Sequence, residues 1–307
     1  MERRPSYCPL SGPFAARKGL ILSVAWLLLI PGLYLALLAG IALVARRPPH
    51  IPAWISPRSL GVPTESVRIG ELHAWWCPHP EPRGAAVMTH GYAMNRSEFV
   101  PEAALLYNEG FSVLLLETRS HGRSKGGLGG FGWIEREDVT AGARWLRERV
   151  PGVPVLLMGS SQGAAASAFA MGDDPTLADA LVLDGAYGRM DRAVRGFLDF
   201  LFGRRLAPFF APGVPLTGLF LGFSPYGKDV AAALHAMGPK PVLLIHGERD
   251  SIAFPSEARR NIAALQGLTT VVWQPGMGHA EGRWEQTEDY HAALREFVEG
   301  LTKSNRS

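Results

Sequence analysis

Cysteine is scarce, with two in 307 residues. Cys8 and Cys77 cannot build a disulfide framework or a cysteine-rich zinc module. If the chain between them crosses a bilayer, they lie on opposite sides and cannot pair. Charge of one sign is also scarce. Thirty-one Lys and Arg against 28 Asp and Glu leave a formal net charge of +3. That is too little for binding spread over many phosphates, so nucleic acid is not an expected partner. No G-x-x-x-x-G-K-[ST] occurs, which removes a P-loop. The 35 Gly and 24 Pro follow no period, which removes collagen. There is no internal repeat. At 47% apolar and 19% charged, the chain is too apolar for a disordered protein.

Uncharged apolar sequence, by contrast, is plentiful near the N-terminus. Residues 19–45 read GLILSVAWLLLIPGLYLALLAGIALVA, without a charge. A spanning helix needs about 20 apolar residues, so this segment reads as a single-pass transmembrane anchor, with a kink expected at Pro31-Gly32. Residues 1–18 form a basic segment before it. The flanks are nearly balanced in Lys and Arg and set no orientation. Residues 46–64, with Pro48, Pro49, Pro52, Pro57 and Pro63, read as a stiff tether. Two other readings compete. A cleaved signal peptide would use Gly40, Ile41 and Ala42 as its small-residue site, but the apolar stretch exceeds the ~7–15 residue core of such peptides. A buried helix of a soluble protein is the other.

From Val67 onward, short apolar runs alternate with amphipathic stretches, the pattern of a mostly parallel sheet covered by helices. Strands are expected at 85–89, 112–116, 153–158, 180–183, 241–245 and 270–273, after an antiparallel hairpin at 65–76. Helices are expected at 98–108, 135–149, 162–171, 256–265 and 283–301. Residues 65–303 thus read as one α/β domain. The segment 188–237 is too long for a single crossover helix and holds seven of the fourteen phenylalanines. It reads as an inserted apolar lid. Phe197, Phe200, Phe209 and Phe210 are candidates to line an apolar substrate pocket or meet the bilayer surface; packing of the lid onto the core is an equal reading.

Gly159-Ser160-Ser161-Gln162-Gly163 follows an apolar strand and opens a helix, which is the context a G-x-S-x-G turn requires. The turn holds its middle residue in strained backbone above the sheet, and the flanking glycines let neighbouring chain pass. A serine hydroxyl needs a base, and the base needs an orienter. Asp250 and His279 follow in chain order, each just past an expected strand, where loops at carboxyl ends line the crevice of an open α/β sheet. Asp184, after the preceding strand, is the rival acid. The backbone N–H groups of Tyr92 and Gln162 are candidate oxyanion donors. His90 is expected to brace its loop rather than act as a base.

On these residues the chain from about Glu65 to Leu301 resembles the α/β-hydrolase superfamily. It is most similar to small serine hydrolases grouped as serine aminopeptidase-like or prolyl-oligopeptidase-like, several of which carry an N-terminal membrane anchor. The matching stretches are HGYAMNR (90–96), ETRSHGRS (117–124), GSSQG (159–163), SPYGKDVAAAL (224–234), HGERD (246–250) and PGMGHAE (275–281). The resemblance implies an eight-stranded-type, mostly parallel sheet with helices on both faces, Ser161 as nucleophile, His279 as base and Asp250 as acid. Glu117 departs from the usual Asp, and Ser160 from the His or Glu that often precedes the nucleophile.

The expected activity is a membrane-anchored serine hydrolase acting on an acyl ester, thioester or amide, most simply a carboxylesterase or lipase. It would need no cofactor and no metal. The expected partners are a small acyl substrate, lipid-like on account of the lid, and the membrane through the N-terminal helix. The alternatives are a serine peptidase, or a non-catalytic binding or scaffold protein on a hydrolase fold. Gly127-Leu128-Gly129-Gly130-Phe131-Gly132 satisfies G-x-G-x-x-G, but it does not follow a strand directly and lacks the acid at the next strand end, so it reads as a loop. His73, Cys77 and His79 lie close together without a fourth ligand and read as non-metal.

Overall fold

A computed structural model describes residues 13–304. Cys8 and most of the basic N-terminal segment therefore lie outside the described residues. Helix α1 spans Pro13–Ala45. Within it, Trp26–Ala45 has a mean hydropathy of 2.5 and is long and apolar enough to cross a membrane. Pro31 lies inside the helix without ending it.

The domain begins with a hairpin of β1 (Glu65–Ile69) and β2 (Leu72–Cys77), turned at Gly70, whose φ of 59° suits glycine. The other strands are β3 (Gly84–Thr89), β4 (Phe111–Glu117), β5 (Val155–Ser160), β6 (Ala180–Asp184), β7 (Val242–Gly247) and β8 (Thr269–Gln274). They make one eight-stranded sheet in the order β1-β2-β4-β3-β5-β6-β7-β8, with β1, β2 and β4 pairing antiparallel and the rest parallel. From β3 to β7 every strand residue is buried, because helices cover both faces.

Pleating sends alternate residues to opposite layers. Val87, Leu114 and Leu157 pack against α3 (Arg136–Arg149), α4 (Gln162–Asp173) and α7 (Val230–Ala236). Met88, Leu115 and Met158 pack against α2 (Val100–Asn108) and α10 (Thr287–Ser304). Burying each such side chain contributes roughly 1.5–3 kcal/mol before the entropy of ordering is counted. Helix α8 (Pro255–Ala264) packs on α7.

The structure departs from the sequence expectations in three places. The C-terminal helix is split into α9 (Gly282–Glu285) and α10, with Gln286 at φ −126°, ψ 48° between them. The break lets Arg283 turn into the interior, where it is fully buried. The lid is shorter than 188–237. Arg189 and Asp229 form an isolated antiparallel bridge, Met190 N–H donates to the Lys228 carbonyl at 3.0 Å, and Val230 N–H donates to the Gly188 carbonyl at 2.7 Å. These bonds close the neck of the insertion. Helix α7 beyond the neck is the crossover helix, packed on α4. The lid itself is α5 (Met190–Phe210), kinked at Gly203 with φ 73° and ψ 152°, and α6 (Gly213–Leu221).

The third departure is the proline-rich stretch 46–64, which is bonded along the domain surface. Gly129 N–H donates to the Arg46 carbonyl at 3.0 Å, Asn95 Nδ2 to the Ile51 carbonyl at 2.9 Å, and Ser97 Oγ to the Ile55 carbonyl at 2.8 Å. A short 3₁₀ turn at Pro57–Leu60 completes it.

The helix after the G-x-S-x-G turn sits against the β3 loop through Gly163. A β-carbon there would collide with the carbonyl oxygens of Thr89 and His90, both main chain. Gly163→Ala is therefore expected to cost about 1–3 kcal/mol and to lower Tm by several degrees in calorimetry, whereas Gly152→Ala, in open space but at φ 80°, tests backbone strain alone.

Candidate active site

Ser161 joins β5 to α4 in strained backbone, with φ 49° and ψ −111°. A non-glycine residue there costs of order 1–3 kcal/mol and persists only where its surroundings over-determine it. Ser161 N–H donates to the Asp184 carbonyl at 2.8 Å, and its own carbonyl accepts from Ala165 N–H at 3.0 Å. The side chain is thereby held above the carboxyl end of the sheet, at the positive end of helix α4.

Three of the expected residues form one hydrogen-bonded chain. His279 Nε2 lies 2.7 Å from Ser161 Oγ, and His279 Nδ1 lies 2.7 Å from Asp250 Oδ2. A carboxylate only accepts, so in the neutral ring Nδ1–H donates to Asp250 and the serine hydroxyl donates to Nε2. Asp250 is buried, and its other oxygen accepts from Ile252 and Ala253 N–H at 2.9 and 2.8 Å. Asp184 pairs with Arg283 rather than with His279. The N–H groups of Tyr92 and Gln162 have no hydrogen-bond partner among the described residues, and both residues line the cavity over Ser161. Gln162 is the first residue of α4, so its N–H is one of that helix's unpaired donors.

That cavity measures about 330 Å³. Its polar groups gather around Ser161 and His279, and most of the remaining wall is apolar. The lid supplies Met190, Val194, Phe197, Leu198 and Phe210. Phe197 meets the Tyr92 ring edge-on with centroids 5.5 Å apart. Phe200 and Phe209 stand apart from the cavity, 64% and 54% exposed. Helix α1 contributes as well, through Leu38, Ile41, Ala42 and Ala45.

Two buried charged residues of the site carry no signal in the sequence. Arg283 donates to Glu98 Oε1 at 2.7 Å, Ser160 Oγ at 2.7 Å and Asp184 Oδ2 at 2.5 Å. Glu98 accepts in turn from Gly91 N–H at 2.7 Å. Tyr290 Oη donates to Asp184 at 3.1 Å. One guanidinium thus ties the Gly91–Tyr92 loop, the serine turn and the end of β6 together. Burial opposes its charge, but Asp184 and Glu98 outweigh that and raise its pKa. In sequence Arg283 reads as an ordinary polar helix residue, because its burial comes wholly from distant partners.

His90 behaves as a loop brace. With Thr118 N–H donating to its Nε2 at 3.1 Å, its Nδ1–H donates to the Gly91 carbonyl at 2.8 Å. His121 is similarly used by Ala93 N–H and the Arg119 carbonyl. The two rings lie 4.7 Å apart, and burial pushes their pKa values down to about 4 and about 3. In the glycine-rich loop, the N–H groups of Gly130 and Gly132 both donate to buried Glu135, at 2.8 and 2.7 Å, so they are not open to a phosphate. Cys77 is buried in β2, and burial raises its thiol pKa to about 11. No cluster of three potential metal-ligating side chains occurs among the described residues.

Two outcomes follow from this geometry. Arg283→Met leaves Glu98 and Asp184 buried without a counter-charge, a loss of about 3–5 kcal/mol, read as a fall in Tm on the order of 10 °C. The paired histidines remain neutral in the folded chain while the unfolded chain takes up protons near pH 6.5. Their contribution is therefore complete above that pH and is lost as pH falls towards about 4. Thermal denaturation over this range should show a falling Tm, with a shallower slope in His121→Gln, whose amide can still serve both partners.

The comparisons with known proteins bear on the fold and on the region around Ser161. The family described as serine aminopeptidase, S33, matches residues 80–219, a stretch that contains Ser161 and ends before Asp250 and His279. A monoglyceride lipase homolog of Monkeypox virus is 31% identical over 112 residues, which is 36% of this chain and 40% of that relative. An uncharacterized protein of Mycobacterium tuberculosis is 29% identical over 231 residues, 74% of each chain. Among solved structures, a Pyrococcus furiosus esterase superposes with a TM-score of 0.68 at 23% identity, over 83% of this chain and 98% of that one. A bacterial membrane phospholipase A superposes with a TM-score of 0.59 at 19% identity, over 94% of this chain and 98% of that one. At those identities the structures carry the fold alone. Strand order and turn geometry give this chain the α/β-hydrolase fold, and within it residues 80–219 match the serine aminopeptidase S33 family model.

Proposed function

We propose that the chain is a membrane-anchored serine hydrolase that cleaves carboxylic esters, with lipase-like preference for apolar acyl groups. The observation that carries this reading is the unbroken hydrogen-bonded chain Ser161–His279–Asp250 beneath an apolar cavity. Ser161 Oγ attacks the acyl carbonyl while His279 Nε2 takes its proton. Asp250 holds the ring in the required tautomer and stabilises the imidazolium. The oxygen that gains charge is met by the N–H groups of Tyr92, in the loop after β3, and Gln162, at the start of helix α4. His279 then gives its proton to the leaving alcohol. Water attacks the acyl-serine with His279 again as base; the acyl carbon–Oγ bond then breaks, His279 returns the proton to Ser161 Oγ, and the carboxylic acid leaves.

The same steps fit thioesters and amides. The apolar lid and cavity favour esters of apolar acids, and the partial match to a monoglyceride lipase homolog supports that choice. The anchor reading is supported by the length and apolar composition of α1.

The test uses full-length protein in detergent with a fluorophosphonate probe and a panel of p-nitrophenyl esters. Labelling is expected at Ser161. Ser161→Ala should lose labelling and lower kcat on the order of 10⁴-fold or more. Folded wild-type protein that is neither labelled nor able to cleave any ester would overturn the proposal in favour of a non-catalytic role.

A further inference from the structure

The cavity has a wall that lies outside the hydrolase domain. Leu38, Ile41, Ala42 and Ala45 of α1 line it. Their spacing of three, four and seven residues marks one face of a helix. Leu38 is 2% exposed and Ala42 4%, whereas Leu37, Leu43 and Val44 on the same turns are 48%, 42% and 70% exposed. The helix therefore presents one face to the cavity and the other outward.

Specific contacts hold it there. Tyr92 Oη donates to the Ala45 carbonyl at 2.9 Å, and Arg46 Nε donates to the Gly129 carbonyl at 3.2 Å. Higher on the helix, the Tyr34 ring meets that of Phe209 with centroids 4.7 Å apart, and Tyr34 Oη donates to the Phe209 carbonyl. Helix α6 packs along α1, with Leu38 against Gly213. The apolar surface then continues outward over the lid. Phe200, Leu201, Leu206, Phe209 and Leu219 are each more than half exposed. Apolar patches of this kind mark contact with a partner or a membrane, and their continuity with a helix long and apolar enough to cross a bilayer selects the membrane.

We infer that the inner face of α1 is the acyl-chain subsite of the enzyme, and that the substrate is a long-chain acyl ester of an amphiphile taken from the bilayer that holds the helix. The inference rests on the serine-hydrolase reading above. The ester carbonyl lies at Ser161, where the polar groups cluster, and the chain runs along Leu38, Ile41 and Ala42 between α1 and the lid. At about 330 Å³ the cavity is at the small end of ligand sites, which fits one chain rather than two. Each buried methylene is worth roughly a factor of four in affinity, so the subsite translates directly into chain-length preference.

Two measurements on full-length protein in nanodiscs test it. In the first, kcat/KM is compared for p-nitrophenyl laurate and butyrate. Ala42→Trp, which fills the subsite, should lower the laurate-to-butyrate ratio by about tenfold or more. Val44→Trp, on the outward face of the same helix, should leave the ratio as it is. An unchanged ratio in Ala42→Trp, or an equal fall in both variants, overturns the subsite. The second needs no substitution. A fluorophosphonate with a long alkyl chain ending in a diazirine is attached to Ser161 and photolysed. Crosslinks are expected in the peptide covering residues 38–45, and crosslinks confined to the sheet domain or lid overturn the inference. Wild type that neither labels nor cleaves butyrate overturns the serine-hydrolase reading itself, and the subsite with it.

Discussion

A guanidinium with no exposed surface sits beneath the serine turn, and the positions of the surrounding loops depend on it. Arg283 bridges Glu98, Ser160 and Asp184. Through Glu98 it reaches Gly91 N–H, next to one candidate oxyanion donor. Through Ser160 it reaches the residue preceding the candidate nucleophile. Through Asp184 it reaches the strand end whose carbonyl accepts from Ser161 N–H. Burying this many charges is costly, and hydrophobic replacements of such clusters are often as stable. What an aliphatic cluster lacks is direction. Hydrogen bonds from one planar group set the relative places of three strand ends, and reaction rates fall steeply when reacting groups are misplaced by an ångström.

The lid and the N-terminal helix extend the site beyond the sheet. The neck at Arg189 and Asp229 fixes where the insertion leaves and rejoins the domain. The kink at Gly203 then turns the second half of α5 back so that Phe210 faces the cavity while Phe209 meets α1. The proline-rich stretch contributes in an unexpected way. A chain of this composition is a spacer when free, yet here its carbonyls are used as acceptors by Gly129, Asn95 and Ser97. That docking places α1 over the cavity mouth, so the element that would meet the membrane also borders the candidate chemistry.

The sheet strands were legible because parallel strands buried on both faces are continuous apolar runs, and 180–183 and 241–245 stand out against their neighbours for that reason. The turn at Ser161 was legible because its geometry demands glycine on both sides. Asp250 and His279 were legible because loops after parallel strands converge on one edge whatever their composition. The division of the last helix at Gln286, the burial of Arg283 and the role of α7 as a crossover helix were not. Each depends on partners about a hundred or more residues away, or on a neck closed by two residues 40 positions apart in the chain.

By itself, then, the sequence determined the elements, their alternation and the placing of Ser161 and His279 at one edge of the sheet, since each of these follows from local periodicity or from chain order in a parallel fold. Only the tertiary structure decided which acid faces His279, which lid phenylalanines reach the cavity, and that Leu38, Ile41 and Ala42 of an apolar N-terminal helix form part of its wall. The physical reason is that side-chain burial at these positions is a property of the opposing surface. An isolated helix of leucine and alanine is equally apolar on every side, and only packing against α6 and the loop of Tyr92 selects the face that turns inward.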